Sequence, residues 1–387
     1  MSTPPTADNI LQSPILIMAK RAALMRAEGR DVIDLTLGEP DFNAPQHVLE
    51  AAHAALSGRL TYSPSNGIEP LRRAIRMRMK DIRNLDYADD QVTVGCGAKQ
   101  IIYNAFQATL KSDEVIVPAP YWASYPAMIK MCGARTLIVS TTREQGFRLT
   151  AKHLEAALSL ATSPKWIVLN APGNPSGALY SREQLLAIAE VLRRYPGVMV
   201  LSDDIYSEIR HTDDPYQTLA MVAPDLRDRI LIVDGVSKVY GMTGWRLGWG
   251  CGPTPLITTI SSVQSQNCTQ TSTLSQLAAV SALTGPQALV GERNAIYRHR
   301  RDAALQILRA CEAIDVAYPE GAFYLISRIK TINDDQAFAL ELLEAGIATV
   351  PGSAFGMPGY LWLSFATDES ILTAGFERLV QKIKAGA

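Results

Sequence analysis

The sequence predicts an α/β fold: a large domain with a mostly parallel sheet flanked by helices, plus a smaller α+β domain formed by the N- and C-terminal parts. Three observations lead there. The middle of the chain alternates short β-rich runs with amphipathic helical segments. Those apolar runs are brief and bounded by Gly, Pro or Asp, which favours strand over buried helix. After about Gly285 the pattern changes to a long charged helix followed by short strands. A chain of 387 residues has room for two or three domains and a large core. The division falls at residues 46–285 for the large domain, with residues 1–45 and 286–387 forming a discontinuous small one.

Taken in order, residues 98–110 read as a helix with Ile101, Ile102, Ala105 and Phe106 inward. Strands are expected at 114–117, 135–139 and 166–170. A helix follows at 181–194, where Ser181 and Gln184 make a capping box and Leu185, Ile188, Ala189 and Leu192 share one face. Strands at 198–202, 230–233 and 245–250 complete the large domain. The small domain takes a helix over 287–311, strands near 322–327 and 361–365, and a closing helix over 368–384 capped by Asp368.

Composition removes several classes of function. There are 37 Lys and Arg against 38 Asp and Glu, a net charge of −1 with no basic cluster, which excludes a nucleic-acid footprint. The five cysteines are scattered, with no C-x-x-C pair, and fit reduced thiols in a cytoplasmic protein. The five histidines stand alone, so no metal is expected. Residues 1–9 carry no basic start and apolar run, so no secretory signal is expected, and no apolar segment is long enough to span a bilayer.

The chemistry concentrates in residues 234–250, DGVSKVYGMTGWRLGWG. Lys238 follows the apolar run 230–233, and a lysine at the end of a core strand is costly unless it has a covalent or ionic role. In an open α/β sheet, ligands bind beyond the carboxyl ends of the strands. The polar residues at these ends therefore form one candidate site: Asn174 after 166–170, Asp203 and Tyr206 after 198–202, Lys238 after 230–233, and Arg246 beside the next strand. GCGAK (residues 95–99) precedes a helix, and such a start binds anions through free N–H groups and the helix dipole. Singly, each feature has an ordinary structural explanation; Asn174-Pro175 alone is a turn signal. GCGAK matches neither a Walker A motif nor a dinucleotide fingerprint. Together, and all at strand ends, they define a site.

These residues sit in LGEPDF (37–42), YSPSNGIEPLR (62–72), VTVGCGAKQ (92–100), PAPYWASYP (118–126), APGNPSG (171–177), SDDIY (202–206), GVSKVYGMTGWRLGW (235–249), PEGAFYL (319–325) and VPGSAFG (350–356). With them the chain resembles a class I/II aminotransferase of the aspartate aminotransferase superfamily, a fold type I pyridoxal-phosphate enzyme. The resemblance runs from about Ser13 to Lys384. It implies pyridoxal 5'-phosphate held by Lys238 as a Schiff base, with Lys238 then moving the proton. It implies Asp203 against the pyridine nitrogen, and Asn174 and Tyr206 on the phenolic oxygen. Arg246, Ser237 and the N–H groups of Gly97, Ala98 and Lys99 would bind the phosphate. Trp122 would stack on the ring, with Tyr121 a weaker candidate, and Gly38, Trp122 and Asn174 would border the substrate. Tyr62 would reach the phosphate of a second subunit, hence a homodimer with shared sites. The partners implied are a small-molecule amino donor and a 2-oxo acid acceptor.

The resemblance breaks near the C-terminus. The family pattern R-x-S-x-A-T places an arginine on the substrate's α-carboxylate, and here LWLSFAT has Trp362 at that position. A lost charge-assisted contact is worth about 1.5–3 kcal/mol. The expectation is that the donor lacks an α-carboxylate or is held by another cation, with Trp362 lining its pocket. Lesser departures are Asp234, where many relatives have asparagine, and residues 261–273, SSVQSQNCTQTST, which resemble a family loop without its proline. The alternatives are a pyridoxal-phosphate enzyme of another reaction type (a β-lyase, decarboxylase or amine oxidase) and, from a different class, a sensor domain. A nucleotide-binding oxidoreductase lacks its glycine motif.

Overall fold

The computed structural model describes residues 14–385. The opening segment 1–9, read as carrying no secretory signal, lies outside them. The described chain starts with helix Pro14–Ala27 (α1) and strand Ile33–Asp34 (β1). Helices Gln46–Leu56 (α2) and Glu69–Arg83 (α3), neither expected from the sequence, come next. α3 buries Leu71, Ala74, Ile75 and Met79 along one face.

Strands Val92–Gly95 (β2), Glu114–Ala119 (β3), Arg135–Ser140 (β4), Pro164–Asn170 (β5), Met199–Asp203 (β6), Ile230–Gly235 (β7) and Gly248–Cys251 (β8) form one sheet, ordered β2-β8-β7-β6-β5-β3-β4. β3 to β7 pair in parallel and β8 is antiparallel to both neighbours. Both faces are covered over the inner strands β3, β5, β6 and β7, which explains their unbroken apolar runs, while the edge strand β4 leaves Ile138 exposed. Val115, Val117, Trp166, Val168, Leu231 and Val233 pack on one side; Ile116, Ile167, Leu169, Ile230 and Ile232 pack on the other. Helix Ala98–Thr109 (α4) lies on the first side.

The expected strand at 245–250 is corrected. Thr243–Trp245 forms a short 3-10 turn and Arg246 turns left-handed at φ 53°, so pairing starts only at Gly248. β2 was not foreseen as a strand at all. Residues 261–267 are not a loop either, since helix Thr254–Asn267 carries them. Helix Arg182–Arg193 starts as expected: Ser181 Oγ accepts from Gln184 N at 3.3 Å, and Gln184 Oε1 accepts from Ser181 N at 3.0 Å.

Beyond helix Ala288–Arg309 come strands Ile314–Val316 (β9), Tyr324–Ile329 (β10), Ile347–Ala348 (β11), Val350–Pro351 (β12) and Tyr360–Ser364 (β13). β12-β13-β10-β9 make an antiparallel sheet, and β1 pairs in parallel with β11 through Ile33 and Ile347. The N-terminal segment is thereby tied to the C-terminal part. Asp368 receives Ser370 N at 2.9 Å and heads helix Glu369–Ala385.

Behind the strand ends lies a buried ionic cluster. Arg83, the last residue of α3, donates to Asp204 Oδ2 at 2.8 Å, to Ser207 Oγ at 2.7 Å and to Asp234. Burial alone would depress the Arg83 pKa, but the two carboxylates hold it above its usual value. One guanidinium cannot balance two buried acids, and burial pushes Asp234 up to about 7 against the pull of Arg83. An acid raised in the folded state holds a proton that the unfolded chain has released, so stability falls as pH rises from about 4 to about 7. Asp234→Asn is expected to flatten that slope and raise the melting temperature at pH 8, as read by thermal unfolding across pH. A lowered melting temperature at pH 8 would contradict this.

Candidate active site

The C-terminal ends of β5, β6 and β7 open on a cleft of about 530 Å³. β8 runs the other way, so its start, not its end, meets this edge, and Arg246 joins the site for that reason. Gly38, Ala98, Lys99, Trp122 and Asn174 line the cleft, as do Asp203, Tyr206, Ser237, Lys238, Arg246 and Trp362. Two candidates stand elsewhere. Tyr121 borders a separate small cavity, held by its N–H on Phe355 O at 3.1 Å, and does not line the cleft. Tyr62 is 87 % exposed and does not line the cleft of its own chain.

Lys238 forms the floor, its Nζ donating to Gly38 O at 2.5 Å. Desolvation pulls its pKa down to about 8; Glu39 and Asp203 oppose the shift, and Arg246 and Lys99 add to it. A useful fraction of neutral amine is therefore present near pH 8. Asp203, last in β6, is buried, and burial pushes its pKa up to about 6. Tyr125 resists that shift by donating its O–H to Asp203 Oδ2 at 2.5 Å. Asn170 ties the neighbouring turn in place: its Nδ2 donates to Asp203 O at 2.8 Å, and its Oδ1 accepts from Asn174 N at 2.8 Å.

Tyr206 shares a 2.7 Å hydrogen bond with Tyr324, whose hydroxyl also reaches Gly38 O at 3.4 Å. Trp362 in β13 lies beside them, fully buried, its Nε1 donating to Asn174 Oδ1 at 3.2 Å. Tyr125, Tyr324 and Phe355 were not among the candidates. Each stands inside a motif already quoted, and Tyr125 falls three residues after Trp122, one helical turn on.

At the other end, α4 is preceded by Gly97 at φ +83° and no side chain caps its first turn, leaving the N–H groups of Ala98 and Lys99 free for an anion. The Gly97 N–H, expected among them, instead donates to Gly95 O at 2.7 Å, closing the tight turn ahead of the helix. A Cβ on Gly97 would lie 2.6 Å from Arg246 Nη2, and one on Gly248 2.3 Å from Ala98 N. Only glycine permits so close an approach. Arg246 donates to Thr243 O at 2.7 Å and Cys96 O at 3.4 Å, which fixes the guanidinium beside the helix start. Lys99 Nζ sits 4.7 Å from the centre of the Trp122 ring. An amine, a carboxylate, amide and phenol donors, an aromatic plate and an anion cradle are the set that pyridoxal phosphate requires. The residues fit it.

The cleft and fold together define a fold type I pyridoxal-phosphate enzyme. The family model for aminotransferase class I and II matches residues 30–379. A probable aspartate/prephenate aminotransferase of Rhizobium leguminosarum bv. phaseoli is 42 % identical, covering 95 % of each chain. An aspartate aminotransferase of Rhizobium meliloti strain 1021 is 43 % identical over 95 % of this chain and 92 % of its own. The crystal structure of a Rhizobium meliloti aspartate aminotransferase superposes with a TM-score of 0.95 at 40 % identity, covering 99 % of both chains. That of Thermus thermophilus with maleate gives 0.93 at 35 % identity, over 98 % and 99 %. The chain belongs to the class I and II aminotransferases. It is a transferase whose cofactor is pyridoxal 5'-phosphate.

Removing the Tyr125 hydroxyl takes away the one side-chain donor to Asp203 among the described residues, so its carboxyl rises further and is protonated at higher pH. In the role that the resemblance implies for Asp203, a neutral carboxyl would not hold a proton on the ring nitrogen. Tyr125→Phe should therefore move the pH below which cofactor affinity falls upward, toward neutrality. Equilibrium titration of the apoenzyme with cofactor at stepped pH measures it; an unmoved profile refutes it.

Proposed function

We propose that this aminotransferase passes an amino group to a 2-oxo acid from a donor with no α-carboxylate at the β13 side of the cleft. One observation carries the reading. Trp362 stands where the family's carboxylate-binding arginine is expected, and its only N–H is already spent on Asn174. Among the described residues, the cations lining the cleft are Lys99, Lys238 and Arg246. Lys238 is taken by the cofactor and Arg246 by its phosphate, which leaves the Lys99 ammonium to receive a substrate carboxylate at the opposite end. Amines and ω-amino acids suit that arrangement as donors, and a 2-oxo acid with a second carboxylate suits it as acceptor. The relatives are named for aspartate and prephenate, and this chain shares their reaction type with a changed anchor.

Bound pyridoxal phosphate supplies an electron sink for the bond broken at the donor carbon. The chain's own residues do the rest. Lys238, once displaced, takes the proton from that carbon and returns it at the other end of the transfer. Asp203 holds a proton on the ring nitrogen, Asn174 and Tyr206 hold the phenolic oxygen, and Trp122 covers the ring face. Arg246, Ser237 and the N–H groups of Ala98 and Lys99 carry the phosphate. Residues 46–285 form the unit that bears the cofactor, and the described residues on either side of it, 14–45 and 286–385, the unit that covers it. Tyr62, exposed in its own chain, completes the phosphate site of a second copy, which makes the working form a homodimer. The enzyme acts in the cytoplasm, in keeping with five unpaired cysteines.

The deciding test adds candidate donors, without acceptor, to the cofactor-loaded protein and follows conversion of the cofactor to its amine form by absorbance. Carboxylate-free amines and ω-amino acids should convert it, with α-amino acids slower by about 10- to 100-fold, the worth of a lost charged contact. Trp362→Arg should reverse that preference. Should α-amino acids react fastest in the wild type, or the variant leave the order unchanged, the donor assignment is wrong.

A further inference from the structure

Trp362 is more than the absence of an arginine. β13 pairs with β10 on one side and β12 on the other, with Trp362 level with Ile326 and Val350. Tyr324 comes from β10 and Phe355 from the turn after β12. Their rings approach the indole at 4.8 Å with 34° between planes and at 5.7 Å with 18°. With two rings packed against it and its side chain fully buried, the indole meets the cleft-lining Asn174 through its Nε1 edge. Trp362 is among the residues that line the cleft.

That edge carries the Nε1–H aimed at Asn174 Oδ1. An asparagine amide can be turned either way, and the partner decides which end faces where. Indole nitrogen only donates, so Asn174 must present its oxygen to Trp362 and its NH₂ in the opposite direction. The Asn174 backbone is already fixed by Asn170, so the amide rotation is the freedom that remains. The NH₂ end meets the Tyr206 hydroxyl, Tyr206 meets Tyr324, and Tyr324 meets Gly38 O, the same carbonyl that accepts from Lys238 Nζ.

We propose that Trp362 is a positioning residue for the cofactor: its indole N–H locks the Asn174 amide so that the NH₂ group, with Tyr206, faces the phenolic oxygen. The proposal rests on the assignment of Asn174 and Tyr206 to that oxygen, but not on which donor the enzyme uses. A well-satisfied phenolic oxygen competes less for the proton at the Lys238 nitrogen. Loosening Asn174 therefore strengthens the hold on that proton and raises the pH at which it leaves.

The test separates the N–H from the bulk. Trp362→Phe keeps an aromatic ring between Tyr324 and Phe355 and removes the donor. Trp362→Arg supplies N–H groups at the same place. Cofactor affinity of the apoenzyme and the midpoint pH of the bound cofactor's absorbance change are measured for each, with thermal unfolding alongside. Trp362→Phe should weaken cofactor binding about 3- to 10-fold and raise the midpoint by about half a pH unit, the range of one lost hydrogen bond. Trp362→Arg should not raise it. In an Asn174→Ala background, where the acceptor is gone, Trp362→Phe should shift nothing further. A midpoint unmoved by Trp362→Phe, or moved equally with and without Asn174, overturns the proposal and leaves Trp362 as packing. If Trp362→Phe does not fold, Trp362→Arg set against Asn174→Ala decides: raised only in the second supports it, raised in both overturns it. Donor preference is read separately with Trp362→Arg, so a wrong donor and a wrong role for Trp362 give different results.

Discussion

Parallel pairing of β5, β6 and β7 sets Asn170 level with Asp203, and Asp203 level with Val233. Because the three strands run the same way, the loops that leave them start from one edge, and Asn174, Tyr206 and Lys238 follow within a few residues. The dependence is geometric. Hydrogen bonding between neighbouring strands fixes where each ends, and the side chains just past those ends are brought together without any direct attraction. β8 extends the arrangement by reversing direction, which brings Arg246 to the edge through a strand's beginning. Gly248 lets that strand lie against the start of α4, closing the distance between the arginine and the free N–H groups of the helix.

The site holds its charges at some cost. Asp203 and Asp204 are neighbours in sequence with opposite surroundings. Asp203 faces Tyr125 and the cleft, while Asp204 faces Arg83. Burial raises the pKa of both, and only Asp204 has a guanidinium in contact. A lone buried carboxylate is unfavourable until something positive meets it, and a protonated ring nitrogen is such a group. Lys238 shows the same economy from the other sign: enclosure lowers its pKa to about 8, so the amine is ready to react. Asp234 adds a further acid to the one guanidinium of Arg83. Its position behind Lys238 gives the cluster a charge imbalance that asparagine would not.

Much of this was legible in the residue order. The strands at 114–117, 166–170, 198–202 and 230–233 could be read from short apolar runs because both sheet faces are covered there and each run is continuous; 135–139, at the sheet edge with Ile138 exposed, carries an equally short apolar run. The helix from Arg182 could be read because its cap is local, made by residues three apart. Lys238, Asp203, Asn174 and Arg246 stood out because each follows or precedes such a run. Other features were not local and could not be read this way. β2 is four residues and gains its identity only by pairing with β8. Residues 245–247 look like strand by composition, yet the left-handed turn at Arg246 delays pairing to Gly248. Residues 261–267 are rich in Ser and Gln, poor signals for a helix, and are held helical by packing of Leu256, Ile257 and Ile260 onto the sheet.

By itself the sequence determined the α/β class, the strand ends and the chemical types gathered there, since these follow from hydrophobic periodicity and from residues adjacent in the chain. It also set Trp362 where the resemblance leads one to expect an arginine. Only the tertiary structure decided what surrounds these groups. Tyr125 meets Asp203 across 78 residues, and Tyr324 meets Tyr206 across 118. Trp362 meets Asn174 across 188. No periodicity carries contacts of that separation, because they arise where elements distant in the chain close on one cleft. Those contacts give Asp203 a hydrogen-bond donor, Tyr206 a phenol neighbour and Asn174 an indole N–H on its amide oxygen.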